Sequence, residues 1–417
     1  MGYIKASIRS HEGGSARQTA FLLVFSIFLY WVSLFVYIPV FSPYMVDLNF
    51  SYGMIGMIIG ANGLVQIVLR FPLGVWSDLT GRRQPFLIAG LGCAVLSACC
   101  LLLWQHPWAL GAARLLSGAA ASVWVVFTVA YMNLSAQRSV AKSVSTMNFV
   151  YVLAQLLGMS VSGWLVSRWG WSSVFWVSLF AAFAGSLFVI MVKDHPGRSC
   201  VETADSGRSS AVSKSSVLQR WAAVRRAIRS RALKRASILG ILTFASLFAT
   251  IFGFTPSQAI ALGAQVNDLT WLVVAFVAPH AAATIVSHRL FSGHSSPWRS
   301  LMVCFAGSAL CMGGTIMASN FWVLCAIQVI LGALLGIVLP LLMQLAVDET
   351  GPEERASVMG IFQASQAIGI MGGPVVCGWV IEAFNESAGF LFVGLMLVIA
   401  ACLCTAYYRN QLKGAGG

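Results

Sequence analysis

Apolar residues run almost unbroken through most of this 417-residue chain, and polar residues gather in short clusters between the runs. Each run reaches about 20 residues, the length at which a helix rising roughly 1.5 Å per residue crosses a hydrocarbon layer. The pattern predicts helices near 20–45, 53–75, 85–104, 108–134, 141–167, 173–192, 236–262, 268–290, 299–318, 321–346, 355–383 and 388–408. An all-α integral membrane protein with twelve transmembrane helices is therefore expected, since a helix satisfies its own backbone polar groups in hydrocarbon. The first run is too long for a signal-peptide core and lacks a small-residue cleavage site, so it is read as a retained span.

One polar segment is long. Residues 194–235, rich in Ser, Arg and Lys, divide the spans six and six, giving an N-terminal bundle over 1–193 and a C-terminal bundle over 236–417. Within it Val217, Trp221, Val224, Ile228 and Ala232 share one helical face, and Arg220, Arg225, Arg226, Arg229 and Lys234 occupy the others. That pattern predicts a basic amphipathic helix on an anionic cytoplasmic leaflet, with a solvated charged linker as the alternative. The halves also repeat. Trp108, Arg114 and Gly118 map onto Trp322, Gln328 and Gly332 at an offset of 214, and Ala141, Gly158, Gly163 and Trp164 onto Ala356, Gly373, Gly378 and Trp379 at 215. Two pseudo-symmetric six-helix bundles follow, with a small-molecule substrate expected between them near mid-bilayer.

Composition agrees. At 58% hydrophobic, 9% charged and a mean hydropathy of +0.82, the chain exceeds what a soluble core can bury. The net charge of +13 is topological: with alternating loops, 23 of 26 Lys and Arg fall on the side of the termini. The positive-inside rule then places both termini in the cytoplasm, with no need of a nucleic-acid partner. Nine of the ten cysteines lie in spans and show no metal-ligand spacing, so packing is their reading and no metal or other cofactor is expected. No H-E-x-x-H, clustered His and carboxylate set or nucleophile–base pair is present, which argues against an enzyme. Nor is there a nucleotide-binding loop, so transport would draw on an ion or solute gradient.

Between the second and third spans stand Gly74, Asp78, Gly81, Arg82 and Arg83, in the order G-x-x-x-D-x-x-G-R-R. This resembles the signature loop of the major facilitator superfamily, with Leu79 in place of the usual basic residue. Arg114 to Gly118 resembles the R-x-x-x-G element of that family's fourth helix. Gly351-Pro352-Glu353-Glu354-Arg355 and Gly372-Gly373-Pro374 are similar to its eleventh. The fifth helix departs from the family's antiporters, since Gly158-Met159-Ser160-Val161-Ser162-Gly163 lacks their Gly-Pro pair. The resemblance covers almost the whole chain and implies a rocking-bundle secondary transporter in a bacterial inner membrane. Proton coupling is implied and export is the favoured direction. An uptake symporter or facilitator of the same fold, or a non-transporting sensor or scaffold, is the alternative. In the family the signature loop latches the cytoplasmic side, a role implied here for Gly74, Asp78, Gly81, Arg82 and Arg83. The second half, around His288 to Gly293, keeps neither the Asp nor the Arg pair.

Several polar residues stand inside spans. Arg114 lies about two turns into the fourth, where a central arginine costs at least ~2.5 kcal/mol to insert, and no carboxylate occupies the middle of any span. Either a bound anion or proton switch, or bonds to helix carbonyls, would satisfy it. Arg70, nearer the cytoplasmic end, is read as either functional or snorkelling. His280 is the one histidine deep in a span, suited to a proton relay or simply packed. Trp31, Gln66, Trp124, Tyr151, Gln155, Gln258, Gln363 and Gln366 complete the substrate-binding candidates for an anionic or amphiphilic organic solute. Pro39, Pro43 and Pro256 are expected to kink the first and seventh helices.

Overall fold

The computed structural model describes residues 2–80, 82–134, 140–192, 230–291, 296–348 and 355–415. Among them there is no strand, and twelve helical segments are long and apolar enough to cross a membrane. The first half holds α1 (Gly2–Phe35), α2 (Ile38–Asp47), α3 (Tyr52–Thr80), α4 (Gln84–Leu103), α5 (Pro107–Ser122), α6 (Trp124–Leu134), α7 (Val140–Ser160), α8 (Ser162–Trp169) and α9 (Ser172–Met191). The second holds α10 (Arg231–Ala249), α11 (Thr255–Ala261), α12 (Leu269–Phe291), α13 (Pro297–Ile316), α14 (Phe321–Val347), α15 (Arg355–Ala383) and α16 (Glu386–Ala415). Of the amphipathic segment expected from Val217 to Lys234, residues 217–229 lie outside the described residues. Arg231 to Arg235, assigned to the central loop, instead open α10, whose first turn is capped by Ser230 Oγ accepting from the Leu233 N–H at 3.3 Å.

Proline places several starts and breaks. Pro107 and Pro297 occupy the first helical position of α5 and α13, where a missing N–H removes no hydrogen bond. The first span breaks at Val36 and Tyr37, with Pro39 entering α2. The seventh breaks at the same level. Pro256 has no N–H for the carbonyl four residues earlier, and the chain passes through a π turn over Thr250–Phe254 before α11 begins. Pro43 lies inside α2 without interrupting it.

Lipid gives helices no hydrophobic reason to associate, so close packing and hydrogen bonds must hold them. Large apolar side chains such as Trp108, Leu310 and Phe180 face outward, while small residues form the seams. A Cβ at Gly118 would strike the Asn62 carbonyl, and one at Gly332 the Phe276 carbonyl. Between the halves, Gly56, Gly60 and Gly63 of α3 bring its backbone against Pro374, Met371 and Ala367 of α15. Buried hydroxyls join neighbours: Ser26 donates to the Gly185 carbonyl at 2.9 Å and Ser178 to that of Ser33 at 2.7 Å. The halves meet mainly at the end away from the termini. There the Ser42 and Ser257 hydroxyls pair at 2.8 Å, Thr270 Oγ1 donates to the Ser160 carbonyl at 2.7 Å, and the Gly53 N–H donates to Glu382 Oε2 at 2.7 Å. The Tyr52 hydroxyl donates to Glu386 beside them.

Candidate functional site

A cavity of about 780 Å³ lies between the halves, large enough for a drug-sized solute. Trp31, Gln66, Arg114, Tyr151, Gln155 and His280, all singled out from the sequence, line it. It extends toward the end carrying the termini as far as Asn148, Ser287 and Gln344, and both Asn148 and Gln344 are exposed. At the opposite end, the bonds between halves shut it.

Its charge comes from two guanidinium groups. Arg114, 3% exposed, donates from Nη1 to the Tyr37 hydroxyl at 3.1 Å and from Nη2 to the Ile59 carbonyl at 3.4 Å. The group also sits over the Phe41 and Tyr37 rings, 5.8 and 6.0 Å from their centroids. Its Nε is buried with no hydrogen-bond partner. Arg70 is the second cation. Rather than snorkelling to the interface, it turns into the cavity, donates from Nη1 to the Gln363 carbonyl at 3.0 Å, and keeps a buried Nε without a partner. Among the described residues no Asp or Glu lines the cavity.

The neutral polar groups on the first-half wall are tied together. Gln66 Nε2 donates to Asn62 Oδ1 at 2.7 Å, Asn62 Nδ2 to Ser117 Oγ at 2.8 Å, and Ser117 Oγ to the Arg114 carbonyl at 2.9 Å. Aromatic rings pack beside them: Trp31 lies 4.7 Å from Tyr151 and 5.3 Å from Phe35, and Phe35 lies 6.5 Å from Phe252 across the gap. His280 stacks on Phe276 at 5.5 Å, hydrogen-bonds the Gly332 backbone and leaves Nδ1 without a partner.

Four expected site residues stand elsewhere. Trp124 is one layer back, 5.4 Å from Trp31 and 6.0 Å from Tyr151, where it supports both rings without touching the cavity. Gln363 contributes only its carbonyl, to Arg70, and Gln366 is buried against Gly240. Gln258 lies on α11 near the closed end. Asn62, by contrast, belongs to the wall although the sequence reading passed over it. The signal was present, since Asn62, Gln66 and Arg70 recur every four residues on one face of an apolar helix.

In the signature loop, Ser77 Oγ donates to the Gly74 carbonyl at 3.0 Å, and Thr80 Oγ1 lies 3.1 Å from the Trp76 carbonyl at the end of α3. Arg82 is exposed and Arg83 half-buried at the start of α4. Gly81 and the Asp78 side chain lie outside the described residues. Gln84 next to them donates to the carbonyls of Val189, Ile190 and Val192 at 3.0–3.2 Å, closing the end of α9.

The family model described as Major Facilitator Superfamily matches residues 23–261 and 257–415. The inner membrane transport protein YajR of Escherichia coli K12 is 21% identical over 399 residues, covering 92% of this chain and 82% of that protein. The multidrug transporter protein MdtP of Bacillus subtilis 168 is 26% identical over 175 residues, 40% of this chain and 32% of that one. Among solved structures, a mutant form of the nucleoside transporter NupG superposes with a TM-score of 0.75 at 15% identity, covering 94% of this chain and 99% of that one. Twelve spans in two repeated halves around a central cavity, matched by the family model along nearly the whole chain, mean that this protein belongs to the Major Facilitator Superfamily and is a membrane transporter, not an enzyme.

Proposed function

We propose that this transporter is a proton-coupled secondary carrier that exports a small organic solute bearing an anionic group. The observation that carries the reading is the central cavity itself, whose described lining holds two guanidinium groups and no carboxylate. An unpaired cation out of water is strongly unfavourable, and a bound anion relieves it. The halves would rock about the cavity, and the described state, shut by Glu382, Ser42 and Ser257 away from the termini, corresponds to inward-facing. That orientation is supported by the 23 basic residues on the terminus side, which by the positive-inside rule favour a cytoplasmic position for both termini. Closing the cytoplasmic side would fall to Gly74, Asp78, Gly81, Arg82 and Arg83. Similarity to a protein named as a multidrug transporter supports the outward direction, and the position of His280, half-buried on the cavity wall, supports giving it the proton.

Reconstitution into liposomes with a panel of organic acids, bases and neutral solutes, with the pH gradient imposed in either direction, tests the proposal. Acid flux that reverses with the gradient is expected. Flux indifferent to pH would remove proton coupling. Inertness toward every solute, in vesicles shown to be sealed by a control transporter, would favour a sensor or scaffold.

A further inference from the structure

Taking the cavity as the solute site, we infer that its occupant is an amphipathic organic anion held in one orientation. The acidic head meets Arg114 on the first half, and the apolar body lies on the second half.

The two walls differ in kind. Both cations, Arg70 and Arg114, and the bonded series Gln66, Asn62 and Ser117 come from the first half. The second half faces them mainly with apolar groups, Phe244, Phe248 and Phe252, spaced four apart along α10 and its π turn, and Phe276 and Val277 of α12. It adds two polar side chains, His280 and Gln344. Its hydroxyls, on Thr284 and Ser287, are already bonded to backbone carbonyls of the same half. Thr284 Oγ1 donates to its own helix at the His280 carbonyl, 2.8 Å, with the Gly336 carbonyl at 2.9 Å, and Ser287 Oγ donates to the Thr284 carbonyl at 2.8 Å. A solute with hydrogen-bonding groups all round would find only His280 and Gln344 on this wall and leave its remaining groups there unmet, which is unfavourable for each group. A cation would meet like charge. An acid with an apolar body satisfies both walls at once.

The cations also stand apart. Arg114 is bonded at the Ile59 carbonyl, while Arg70 grows from α3 eleven residues further on, roughly 16 Å along the helix axis. One compact head group therefore meets one of them. Arg114 is the one whose bonded partners, Tyr37 and Ile59, both belong to its own half, so a head group seated there is not tied to the movement of the other half. Arg70 already bridges to the second half through the Gln363 carbonyl.

The test uses the purified full chain in lipid nanodiscs and a series of ω-phenylalkanoates of increasing length, with their primary amides and primary amines, read by titration calorimetry. The acid is expected to bind at least ~10-fold more tightly than its amide, as for a hydrogen bond to a charged group, and the amine not to bind. Each added methylene should tighten binding by about fourfold, following the burial of one CH₂. Arg114→Gln should erase the acid-over-amide preference and keep the length dependence. Phe248→Ser should do the reverse. Arg114→Lys, which keeps the charge, separates loss of the head site from loss of folding. Equal binding of acid, amide and amine overturns the inference, as does the absence of binding by every acid in the series. Loss of acid preference in Arg70→Gln with Arg114→Gln unaffected overturns the orientation. Solute counterflow in liposomes is scored separately. Acid-selective binding without counterflow sinks the transport reading alone, and counterflow without acid preference sinks this inference alone.

Discussion

Two crossings at equivalent places in the repeat show what the halves share and where they part. In the first half Gly118 of α5 lies on the Asn62 carbonyl of α3, and in the second Gly332 of α14 lies on the Phe276 carbonyl of α12. Each pair is offset by 214 residues, and the backbones approach in the same way. The likeness ends with the side chains. Arg114 has Gln328 as its counterpart, Asn62 has Phe276, Gln66 has His280 and Arg70 has Thr284. Gln328 is fully buried and neither its Oε1 nor its Nε2 has a partner, whereas Arg114 is bonded and lines the cavity. Helix crossing depends on a missing side chain at one backbone position, and it tolerates any chemistry on the neighbouring turns. The same frame thus carries both cavity cations on one side, among Trp31, Phe35 and Tyr151, and an aromatic wall without a guanidinium group on the other.

The largest effects are expected where the halves agree. Gly118→Val and Gly332→Val each force a side chain into a carbonyl of the facing helix, which typically costs about 1–3 kcal/mol or more. Thermal unfolding in detergent should show a similar drop for both. A variant tolerated in one half alone would show that the crossings are not equivalent.

Arg114→Gln writes the second half's residue into the first. Losing a hydrogen bond between charged groups, about 1.5–3 kcal/mol, predicts a roughly 10- to 150-fold loss of affinity for organic acids. Calorimetry that finds unchanged affinity would erase the distinction between the walls.

Smaller effects are expected at the closed end. Glu382 accepts from the first turn of α3, where the helix dipole also favours an anion. Glu382→Gln should weaken that contact by about 1 kcal/mol, shifting the balance of states roughly fivefold toward opening at that end. Labelling of a cysteine introduced at Ser257, which is bonded to Ser42 across the interface, should then become faster. An unchanged labelling rate removes Glu382 as a latch. His280→Gln, finally, copies Gln66 into the second half. It should flatten the dependence of transport on pH while moving affinity at a fixed pH by less than about twofold, because glutamine keeps a hydrogen-bonding side chain but cannot exchange a proton. A pH profile that persists excludes His280 as the relay.

Much of this was legible from residue order. The twelve spans, the breaks before Pro39 and Pro256, and the equivalence of Gly118 with Gly332 can all be read without coordinates. The cavity was legible only in part. Trp31, Gln66, Arg114, Tyr151, Gln155 and His280 reach it, but Gln258, Gln363 and Gln366 do not, although their residue type and depth looked equally suitable. Arg70 shows the same ambiguity from the other side, since four residues of helix from Gln66 point it inward while its nearness to the span end suggested the interface.

Chain order alone settled the solvent, the number of crossings and the repeat, because hydrocarbon length and backbone satisfaction act on each helix separately. Tertiary structure decided which polar groups share one space and which end is shut. Periodicity states that two residues lie on the same face of a helix, but the neighbour that face meets depends on how every other helix is rotated. The gathering of both cavity cations on one wall is a property of that packing.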